Sequence, residues 1–388
     1  MMLKSMDITV LGAGVAGLAV GTALAQRGAK VTLLEQADAI REVGAGLQVS
    51  PNGAAVMRAL GLETALNAGS VAGQAVHLRD GYSGDTVTRL DLTSRGQTFH
   101  LMHRADLIEI LRKAAADAGV EMQLLQRIEQ VDLSGSQPRL ITAQGAERKV
   151  SFLIGADGLH SKVRAALNGV VAPFFTHQVA WRALIPAEAD APAEAEVHMG
   201  AGRHLVSYPL RGGTLRNIVA VEERRQWVEE SWNLRDDPME MRLAFEGFSP
   251  RVQKWLEQVD DVWLWGLFRH PVAKRWHGTR AAILGDAAHP TLPFLAQGAN
   301  MALEDAWVLA DCLDRFGPEK GLTAYQSARA HRCARIVQAA NGNARAYHLR
   351  EPMRSLAHLG LRLGGAMAPG LALKRYDWIY SHDVTASR

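Results

Sequence analysis

The sequence predicts an α/β fold in which a discontinuous domain with a parallel sheet carries an inserted β-rich domain and C-terminal helices. The first observation is a βαβ unit near the start, with an apolar strand at 7–11, an Ala/Leu-rich helix at 18–27 and a second strand at 30–35. The second is that similar buried strands recur far along the chain, at 150–154 and 280–284. The third is a long alternation of apolar and polar residues between these strands, which is typical of sheets with one solvated face.

The domain boundaries follow from where these patterns change. Because alternating segments interrupt the pieces of the parallel sheet, we expect the β-rich domain to fold over a discontinuous partner. The expected division places residues 1–72, 101–172 and 276–345 in the discontinuous domain, 73–100 and 173–275 in the β-rich domain, and 346–388 in a C-terminal helical segment.

Apolar residues at helical spacing predict longer helices in the discontinuous domain. The expected helices cover 51–60, 104–119, 297–316 and 322–349. Gly317 and Pro318 separate the last two, because proline lacks the backbone N–H that a continuing helix needs.

Composition and charge argue against several classes of protein. Of the 388 residues, 48% are apolar, and 43 basic side chains nearly balance 40 acidic ones to give a net charge of +3. This balance, without a long run of Lys or Arg, argues against a nucleic-acid partner. Apolar stretches fall short of the roughly 20 residues that a membrane span needs, so no membrane partner is expected.

The two cysteines, Cys312 and Cys333, fall in predicted helices and do not form a CxxC pair. We therefore expect no disulfide framework and no metal site, and a reducing, cytoplasmic compartment fits. The apolar run near the N-terminus has the look of a signal peptide, but Asp7 and several glycines interrupt it. We interpret that run as strand, turn and helix.

A glycine turn between the first strand and the first helix has the pattern Gly12-x-Gly14-x-x-Gly17. In a Rossmann-like unit these glycines permit a tight turn, close approach of a pyrophosphate and close helix packing. The helix N-terminus then presents free N–H groups to the phosphates. Glu35 ends the second strand, where an acidic side chain accepts hydrogen bonds from a ribose. The pattern predicts dinucleotide binding; the alternative is a turn that only connects strand and helix.

Two further glycine-aspartate turns follow the later buried strands. One is GADGLHSKVR, which contains Asp157, and the other is GDAAHP, which contains Asp286. An aspartate just past a parallel strand lies at the edge where α/β sheets bind ligands, and it can accept from a sugar-alcohol hydroxyl. The alternative for each aspartate is a helix N-cap. Gly298 opens the following helix, so its neighbouring N–H groups can face an electron-rich ring edge.

The three motifs, in this order and spacing, resemble those of the group A flavoprotein aromatic hydroxylases. The segments EVGAGLQVSPNG, HRADL, WRALIPA, YPLRGG and RYDWIYSHD resemble the salicylate 1-hydroxylase and 3-hydroxybenzoate 6-hydroxylase branch most. The resemblance covers nearly the whole chain. It implies an FAD-dependent monooxygenase that takes NADH or NADPH as a transient co-substrate, reacts with O2 through a flavin hydroperoxide and hydroxylates a small aromatic substrate.

The motifs and the resemblance together assign FAD contacts along the chain. Gln48 stands where the 6-hydroxynicotinate 3-monooxygenase pattern has a histidine, which argues against a hydroxynicotinate substrate. The expected cofactor-binding residues are Gly12, Gly14, Ala16, Gly17, Glu35, Gln36, Arg41, Gln48, Arg104, Asp157, Asp286, Gly298, Ala299 and Asn300.

The candidate catalytic residues lie in the β-rich segment. His204 and Tyr208 are four apart, so on a strand both side chains point to one face. A base near a phenol hydroxyl favours the more reactive phenolate, and the resemblance matches these positions to a catalytic His and a substrate-site Tyr. It also matches Gln297 to a residue that orients the substrate. The alternative for His204 is a structural histidine. For Arg182 two alternatives stay open: contact with a substrate carboxylate or FAD, and a buried structural ion pair.

Three hypotheses of function remain open from the sequence. The first is hydroxylation of a salicylate- or hydroxybenzoate-type acid. The second is a flavin epoxidase or hydroxylase of a larger apolar substrate, such as a quinone or polyketide, which would share every FAD motif. The third is a non-catalytic FAD-binding protein. A homodimer is possible under each of them.

Overall fold

The structure is a computed structural model that describes residues 2–40, 45–224, 234–367 and 371–386. Its first layer is a five-stranded parallel sheet with the order β19-β12-β1-β2-β8. The strands of this sheet are β1 (Asp7–Leu11), β2 (Lys30–Leu34), β8 (Glu121–Gln123), β12 (Leu153–Gly155) and β19 (Ala281–Ile283).

The second layer is an eight-stranded sheet with the order β17-β18-β13-β16-β15-β14-β5-β6. Its pairs are antiparallel except for β14 and β5, which run parallel and place residues 75–80 beside 194–199. Its strands are β5 (Ala75–Asp80), β6 (Thr86–Asp91), β13 (Phe174–Pro186), β14 (Glu194–Gly200), β15 (Arg203–Leu210), β16 (Leu215–Glu223), β17 (Arg235–Asp236) and β18 (Val262–Arg269).

Two small antiparallel sheets complete the β-structure of the described residues. One is a sheet of β3 (Gly46–Val49), β7 (Phe99–His103) and β4 (Ser70–Gly73), and it lies between the two large layers. The other is a sheet of β9 (Ile128–Asp132), β10 (Arg139–Thr142) and β11 (Glu147–Lys149), a region for which the sequence analysis predicted no strands.

The longest helix runs from Gly298 to Tyr347 with a break at Gly317, where φ is 72°, just before Pro318. The break lies where the sequence predicts it. Two short helices, at 238–244 and 250–256, also lie in the segment 173–275, where the alternating pattern predicted β-rich structure and no helix. The helices are α1 (Val15–Gln26), α2 (Pro51–Ala59), α3 (Glu63–Ala68), α4 (Arg104–Asp117), α5 (Lys162–Asn168), α6 (Pro238–Ala244), α7 (Pro250–Leu256), α8 (Gly298–Tyr347), α9 (Met353–Met367), α10 (Leu371–Lys374) and α11 (Asp377–Tyr380).

Two main apolar cores hold these layers. The larger packs α1, α4 and α8 against the parallel sheet, around buried residues such as Leu18, Leu111 and Leu309. The second packs α6 and α7 against the outer face of the eight-stranded sheet, around Trp181 and Trp255. The inner face of the eight-stranded sheet borders a cavity. Among the described residues, no helix is long and apolar enough to cross a membrane.

Candidate active site

A cavity of ≈650 Å³ separates the carboxyl edge of the parallel sheet from the inner face of the eight-stranded sheet. On one side it is bordered by the turns that follow β1, β12 and β19. On the other it is bordered by alternate residues of β15 and its neighbours, and the C-terminal helices close one end. Ligands of open α/β sheets bind at this edge, so the topology alone places a binding site here.

In the glycine turn after β1, two of the three glycines have no room for a side chain. A Cβ on Gly17 would lie 1.8 Å from the carbonyl oxygen of Gly12, and one on Gly12 would lie 2.5 Å from that of Ala156. Gly14, by contrast, borders the cavity and has nothing within 4 Å of its added Cβ. The lack of a side chain at Gly12 and Gly17 thus lets α1 pack against the turn. Gly14 and the nearby Ala16 leave open the space before the helix that a pyrophosphate needs.

Glu35 is held against this turn by two backbone donors. Its carboxylate accepts from the N–H of Ala13 at 2.8 Å and of Ala37 at 2.9 Å. The acidic group therefore lies at the tip of β2 beside the glycine turn, which is where a ribose hydroxyl is bound in a Rossmann-like unit. Gln36 next to it is exposed, and Arg41 lies outside the described residues.

Asp286 borders the cavity just past β19, and no described residue donates a hydrogen bond to its carboxylate. Burial raises the pKa of Asp286, against the lowering effect of the nearby positive groups His289 and Arg104. Arg104 begins α4 and also lines the cavity. A buried acceptor with open space in front of it suits a polyhydroxyl chain, and an arginine suits a phosphate, so these residues fit FAD.

Asp157 faces away from the cavity. Its carboxylate accepts from the Ser161 hydroxyl at 2.5 Å and from the Lys162 N–H at 2.7 Å, which caps the start of α5. This is the helix-cap alternative that the sequence left open. The cavity wall is formed instead by the flanking Ala156 and Gly158.

The segment that opens α8 contributes backbone to the cavity. Gly298 and Ala299 line it, together with Gln48 of the facing strand β3. The Asn300 side chain points elsewhere: it accepts from the Ser50 N–H at 3.0 Å and donates to the Gln48 carbonyl at 2.9 Å. Asn300 therefore links β3 and the residue after it to the start of α8, and it holds these two segments at a fixed distance from each other.

Gln297 lies 1% exposed in the same polar network and is not among the residues that line the cavity. Its amide donates to the Ser50 hydroxyl at 2.9 Å and accepts from Asn52 at 3.1 Å. This placement does not support a contact between Gln297 and a substrate. Its hydrogen bonds instead hold the turn before α8.

His204 and Tyr208 lie side by side on the opposite wall. Both belong to β15, both are almost fully buried, and both line the cavity. Leu205, between them, packs on the outer face with the second core. Burial lowers the pKa of His204 well below 6.5, helped by its neighbour His348, so the ring is neutral at pH 7. Burial also raises the pKa of Tyr208 to about 12, which keeps its hydroxyl protonated.

Arg182 of β13 brings a positive charge to this wall. Its guanidinium donates to the Gly46 carbonyl at 2.8 Å and stacks over the Trp265 ring at 4.3 Å. It also lines the cavity and lies close enough to Tyr208 to lower the pKa of that hydroxyl, against the larger effect of burial. Arg182 therefore has a structural contact with β3 and a place on the cavity wall.

Comparison with known proteins agrees with this geometry. The FAD binding domain family matches residues 5–340. The chain is 35% identical to 3-amino-4-hydroxybenzoate 2-monooxygenase of Streptomyces cremeus, over 89% of each chain. The chain belongs to the FAD-dependent aromatic hydroxylases of this family.

Other relatives lead to the same family. The hydroxylase is 32% identical to 3-hydroxybenzoate 6-hydroxylase of Klebsiella oxytoca, over 92% of this chain and 93% of that one. Its fold matches a solved substrate complex of salicylate hydroxylase with a TM-score of 0.82, at 23% identity, over 99% and 97% of the two chains. FAD is the cofactor, and the residues described above fit it.

Several residues of the hydroxylase site were not identified from the sequence. The C-terminal segment, expected only to be helical, contributes Tyr347, Arg375, Tyr376 and Tyr380 to the cavity wall. His348, which follows α8, hydrogen-bonds to His204. These residues lie more than 130 positions from β15. The segment RYDWIYSHD, which contains Arg375, Tyr376 and Tyr380, contributed to the family resemblance, but nothing in the sequence placed these side chains at the cavity.

A buried ionic network supports the cofactor side of the hydroxylase. Arg329 of α8 donates to Asp305 at 2.7 Å and pairs with Glu304, and Asp305 in turn accepts from the Gly285 N–H at 3.0 Å and pairs with His289. Burial alone would raise the pKa of Asp305, but His289 and Arg329 lower it to about 2. The carboxylate thus fixes the turn that carries Asp286.

His289, Asp305 and Cys333 also bring potential metal-ligand atoms within 4.8 Å of one another. Arg329 donates to the same Asp305 oxygen that faces Cys333, and to the Cys333 sulfur at 3.4 Å. A guanidinium therefore stands where a cation would be, and the cluster is an ion-pair network.

Proposed function

We propose that this hydroxylase converts a small phenolic acid, using FAD, NADH or NADPH, and O2. The observation that carries the proposal is a buried, neutral imidazole, His204, on the cavity wall that faces the FAD-binding edge. A neutral imidazole inside an enclosed site is a base for a phenol hydroxyl.

The charges on the cavity wall favour an anionic substrate. Among the described residues that line it are three arginines, Arg104, Arg182 and Arg375, and one carboxylate, Asp286. Arg104 lies on the cofactor side, whereas Arg182 lies beside Tyr208 and Arg375 at the C-terminal end. A ring carboxylate directed towards Arg182 would place a hydroxyl of the same ring within reach of His204 and Tyr208.

The residues of the chain then divide the chemistry. Reduced FAD and O2 supply the oxygen atom when the cofactor is bound. His204 withdraws the proton from the substrate hydroxyl, which makes the ring electron-rich, and Tyr208 donates a hydrogen bond to the resulting oxygen. The apolar walls exclude water, which limits side reactions of the reactive oxygen with water.

The relatives support the substrate class. The Streptomyces cremeus and Klebsiella oxytoca enzymes are named for an aminohydroxybenzoate and a hydroxybenzoate. Both compounds combine a phenol hydroxyl with a carboxylate on one ring, which are the two groups that His204 and Arg182 suit.

A larger apolar substrate is the second candidate. Beyond Tyr208 the cavity continues along apolar side chains of the sheet and of α9. These residues are Val76, Leu78, Leu90, Val197, Met199 and Leu361. This wall would accept an alkyl or fused-ring substituent.

The experiment is turnover by the FAD-loaded protein with NADH or NADPH, measured as nicotinamide and O2 consumption with separate assays of product and peroxide. The panel contains 3-amino-4-hydroxybenzoate, 3- and 4-hydroxybenzoate, salicylate and 6-hydroxynicotinate, with benzoate as the control that lacks the hydroxyl. Coupled product from a phenolic acid, and none from benzoate, is expected. If peroxide forms at the same rate with and without each compound, and no hydroxylated product appears, the proposal is refuted and the larger apolar substrate is favoured.

We also propose a cytoplasmic homodimer. The outer face of α9 leaves Leu356, Leu359 and Leu363 each more than half exposed, which is costly in water and suits a second copy of the chain. Sedimentation of the FAD-loaded protein is expected to give twice the chain mass of 42.2 kDa. Leu359→Glu is expected to give the single chain mass, and a monomeric parent protein would refute the proposal.

A further inference from the structure

Three side chains link the cavity to the protein surface. His204 Nδ1 lies 2.7 Å from His348 Nε2, and His348 Nδ1 lies 3.2 Å from Glu223 Oε1. His204 is 2% exposed, whereas 40% of the Glu223 side chain is exposed. The three groups therefore form an unbroken hydrogen-bonded line from a buried cavity wall to solvent.

The positions of the hydrogens in this line follow from its outer end. A carboxylate accepts only, so the proton on His348 is on Nδ1, which donates to Glu223. With a neutral ring, His348 Nε2 is then an acceptor, and His204 Nδ1 must donate to it. This leaves the lone pair of His204 on Nε2, and no described residue donates to that atom. The geometry thus selects the tautomer in which His204 is a base.

The backbone holds the line in register. The Gly202 N–H donates to the His348 carbonyl at 3.2 Å, and the Glu223 N–H donates to the Gly202 carbonyl at 2.9 Å. These contacts join the end of α8 to the hairpin of β15 and β16. Because the three chain segments are tied together within a few residues of the two histidines, the line is part of the fold.

We infer that His204, His348 and Glu223 form a proton relay that carries the substrate's hydroxyl proton from the cavity to solvent. The inference rests on the proposed function. In the forward direction the substrate O–H bond breaks and its proton bonds to His204 Nε2. The proton on His204 Nδ1 moves to His348 Nε2, and the proton on His348 Nδ1 moves to Glu223 Oε1, which releases it to water. One proton leaves, and both rings end neutral in the opposite tautomer.

The relay resets by running inward. When product leaves as a phenol, its oxygen takes the proton from His204 Nε2, and each ring regains its starting tautomer as one proton returns from solvent through Glu223. A single buried imidazole would instead have to stay charged in the cavity, which burial opposes. His348 and Glu223 are positioning residues, since they act on the substrate only through His204.

The charged groups around the relay lie at its outer end. Arg350 donates to Glu223 Oε2 at 3.1 Å, and Arg203 pairs with Glu222 at 3.4 Å. At the inner end the His204 ring touches Phe294 and Tyr347, at centroid distances of 5.7 and 5.2 Å. Burial raises the pKa of Tyr347, so it stays neutral. The two rings that touch His204 are therefore uncharged, and Glu223 is the proton acceptor of the relay that is nearest to solvent.

The first test is independent of any substrate. Ring nitrogen shifts from ¹⁵N-histidine-labelled, FAD-loaded protein distinguish an N–H from a lone pair, and His204→Gln and His348→Gln spectra assign the two rings. Both rings are expected to carry their proton on Nδ1. A proton on Nε2 of His204 would overturn the relay, whatever the enzyme hydroxylates.

The second test measures the transfer. Each FAD-loaded protein is mixed with 3-amino-4-hydroxybenzoate or 3-hydroxybenzoate in a weakly buffered solution of a pH-indicator dye. Glu223→Gln and His348→Phe are expected to slow proton release and kcat on the order of tenfold with KM unchanged. The matched control is Glu222→Gln, which neutralises the adjacent carboxylate of the same strand and should behave as wild type.

The two proposals fail in different ways. If wild type neither releases a proton nor turns over with these phenols, the proposed function fails, and the histidine tautomers still decide the relay. If wild type turns over and both relay variants match Glu222→Gln, the relay is refuted and the proposed function stands.

Discussion

The two walls of the cavity are built in different ways. The cofactor wall is made of short turns in which the backbone itself lines the cavity, as at Gly14 and Gly298. The substrate wall is made of side chains, among them His204, Arg182 and Tyr347, which come from β15, β13 and the end of α8. One wall is thus encoded within stretches of about ten residues, whereas the other depends on segments that meet only in the folded chain.

The two walls therefore differ in how readily substitutions can change their function. A backbone site tolerates few substitutions because glycines and fixed turns have no substitutes of equal shape. A side-chain wall can change its charge and shape one residue at a time while the sheet beneath it stays intact. We therefore expect lesions on the cofactor wall to act through folding and FAD binding, and lesions on the substrate wall to act on turnover alone.

The largest effect is expected on the cofactor wall for Arg329→Met. It removes a buried counter-charge that Asp305 and Glu304 share, which costs about 3–5 kcal/mol of stability. Urea unfolding measures the loss. Arg315→Met is the control, since it removes an exposed pair with Asp311 and should cost about 0.5 kcal/mol or less. Equal costs for the two variants would contradict the role of the buried network.

Within the glycine turn, Gly17→Ala and Gly14→Ala are expected to separate packing from ligand approach. The Gly17 Cβ would lie 1.8 Å from a carbonyl oxygen, so α1 must shift, at a cost of about 3 kcal/mol. The Gly14 Cβ meets no protein atom within 4 Å, so that variant should fold normally and bind FAD more weakly. Thermal unfolding of the FAD-free proteins and flavin absorbance after reconstitution are the measurements. A stable Gly17→Ala protein with full FAD would count against the local account of this wall.

The same contrast explains how much of the fold the sequence revealed. The βαβ unit, the helix break at Gly317 and the strands after which Asp157 and Asp286 lie follow from local patterns, and the structure has them. The parallel pairing of β14 with β5 does not, because it joins residues that are more than 110 positions apart. The domain boundaries expected from the sequence stay a prediction.

For the site, the sequence predicted which segments lie near the cavity, but it did not predict the direction of every side chain. The motifs and the resemblance assigned Asp157 and Asn300 to FAD and Gln297 to the substrate, but these side chains hydrogen-bond to neighbouring backbone and polar groups and do not line the cavity. Strand periodicity did place His204 and Tyr208 on one face. Periodicity could not identify His348 as the partner of His204, because it reports only on residues of the same strand and His348 lies 144 residues further along the chain.

On the substrate wall, His204→Ala is expected to slow hydroxylation about 100-fold and to raise peroxide release. The base is the neutral ring, and burial lowers its pKa, so activity is full above that pKa and falls as the pH drops through it. The acid limb of the rate profile should therefore lie below pH 6.5, and His204→Gln should lack that limb. Unchanged coupling in His204→Ala would remove this residue from the mechanism.

The smallest effect is expected for Tyr208→Phe, which keeps the ring on the cavity wall and removes its hydroxyl. Because burial keeps that hydroxyl protonated, it serves as a hydrogen-bond donor worth about 1 kcal/mol, or roughly a fivefold loss in kcat/KM. The loss should appear in KM if the bond is equally strong before and during reaction, and in kcat if it strengthens as the phenolate forms. Tyr82→Phe is the control for removing a phenol hydroxyl, because Tyr82 does not line the cavity and its hydroxyl accepts from the Ala201 N–H. A Tyr208→Phe protein as active as that control would show that the substrate wall acts through His204 and its charged neighbours without help from Tyr208.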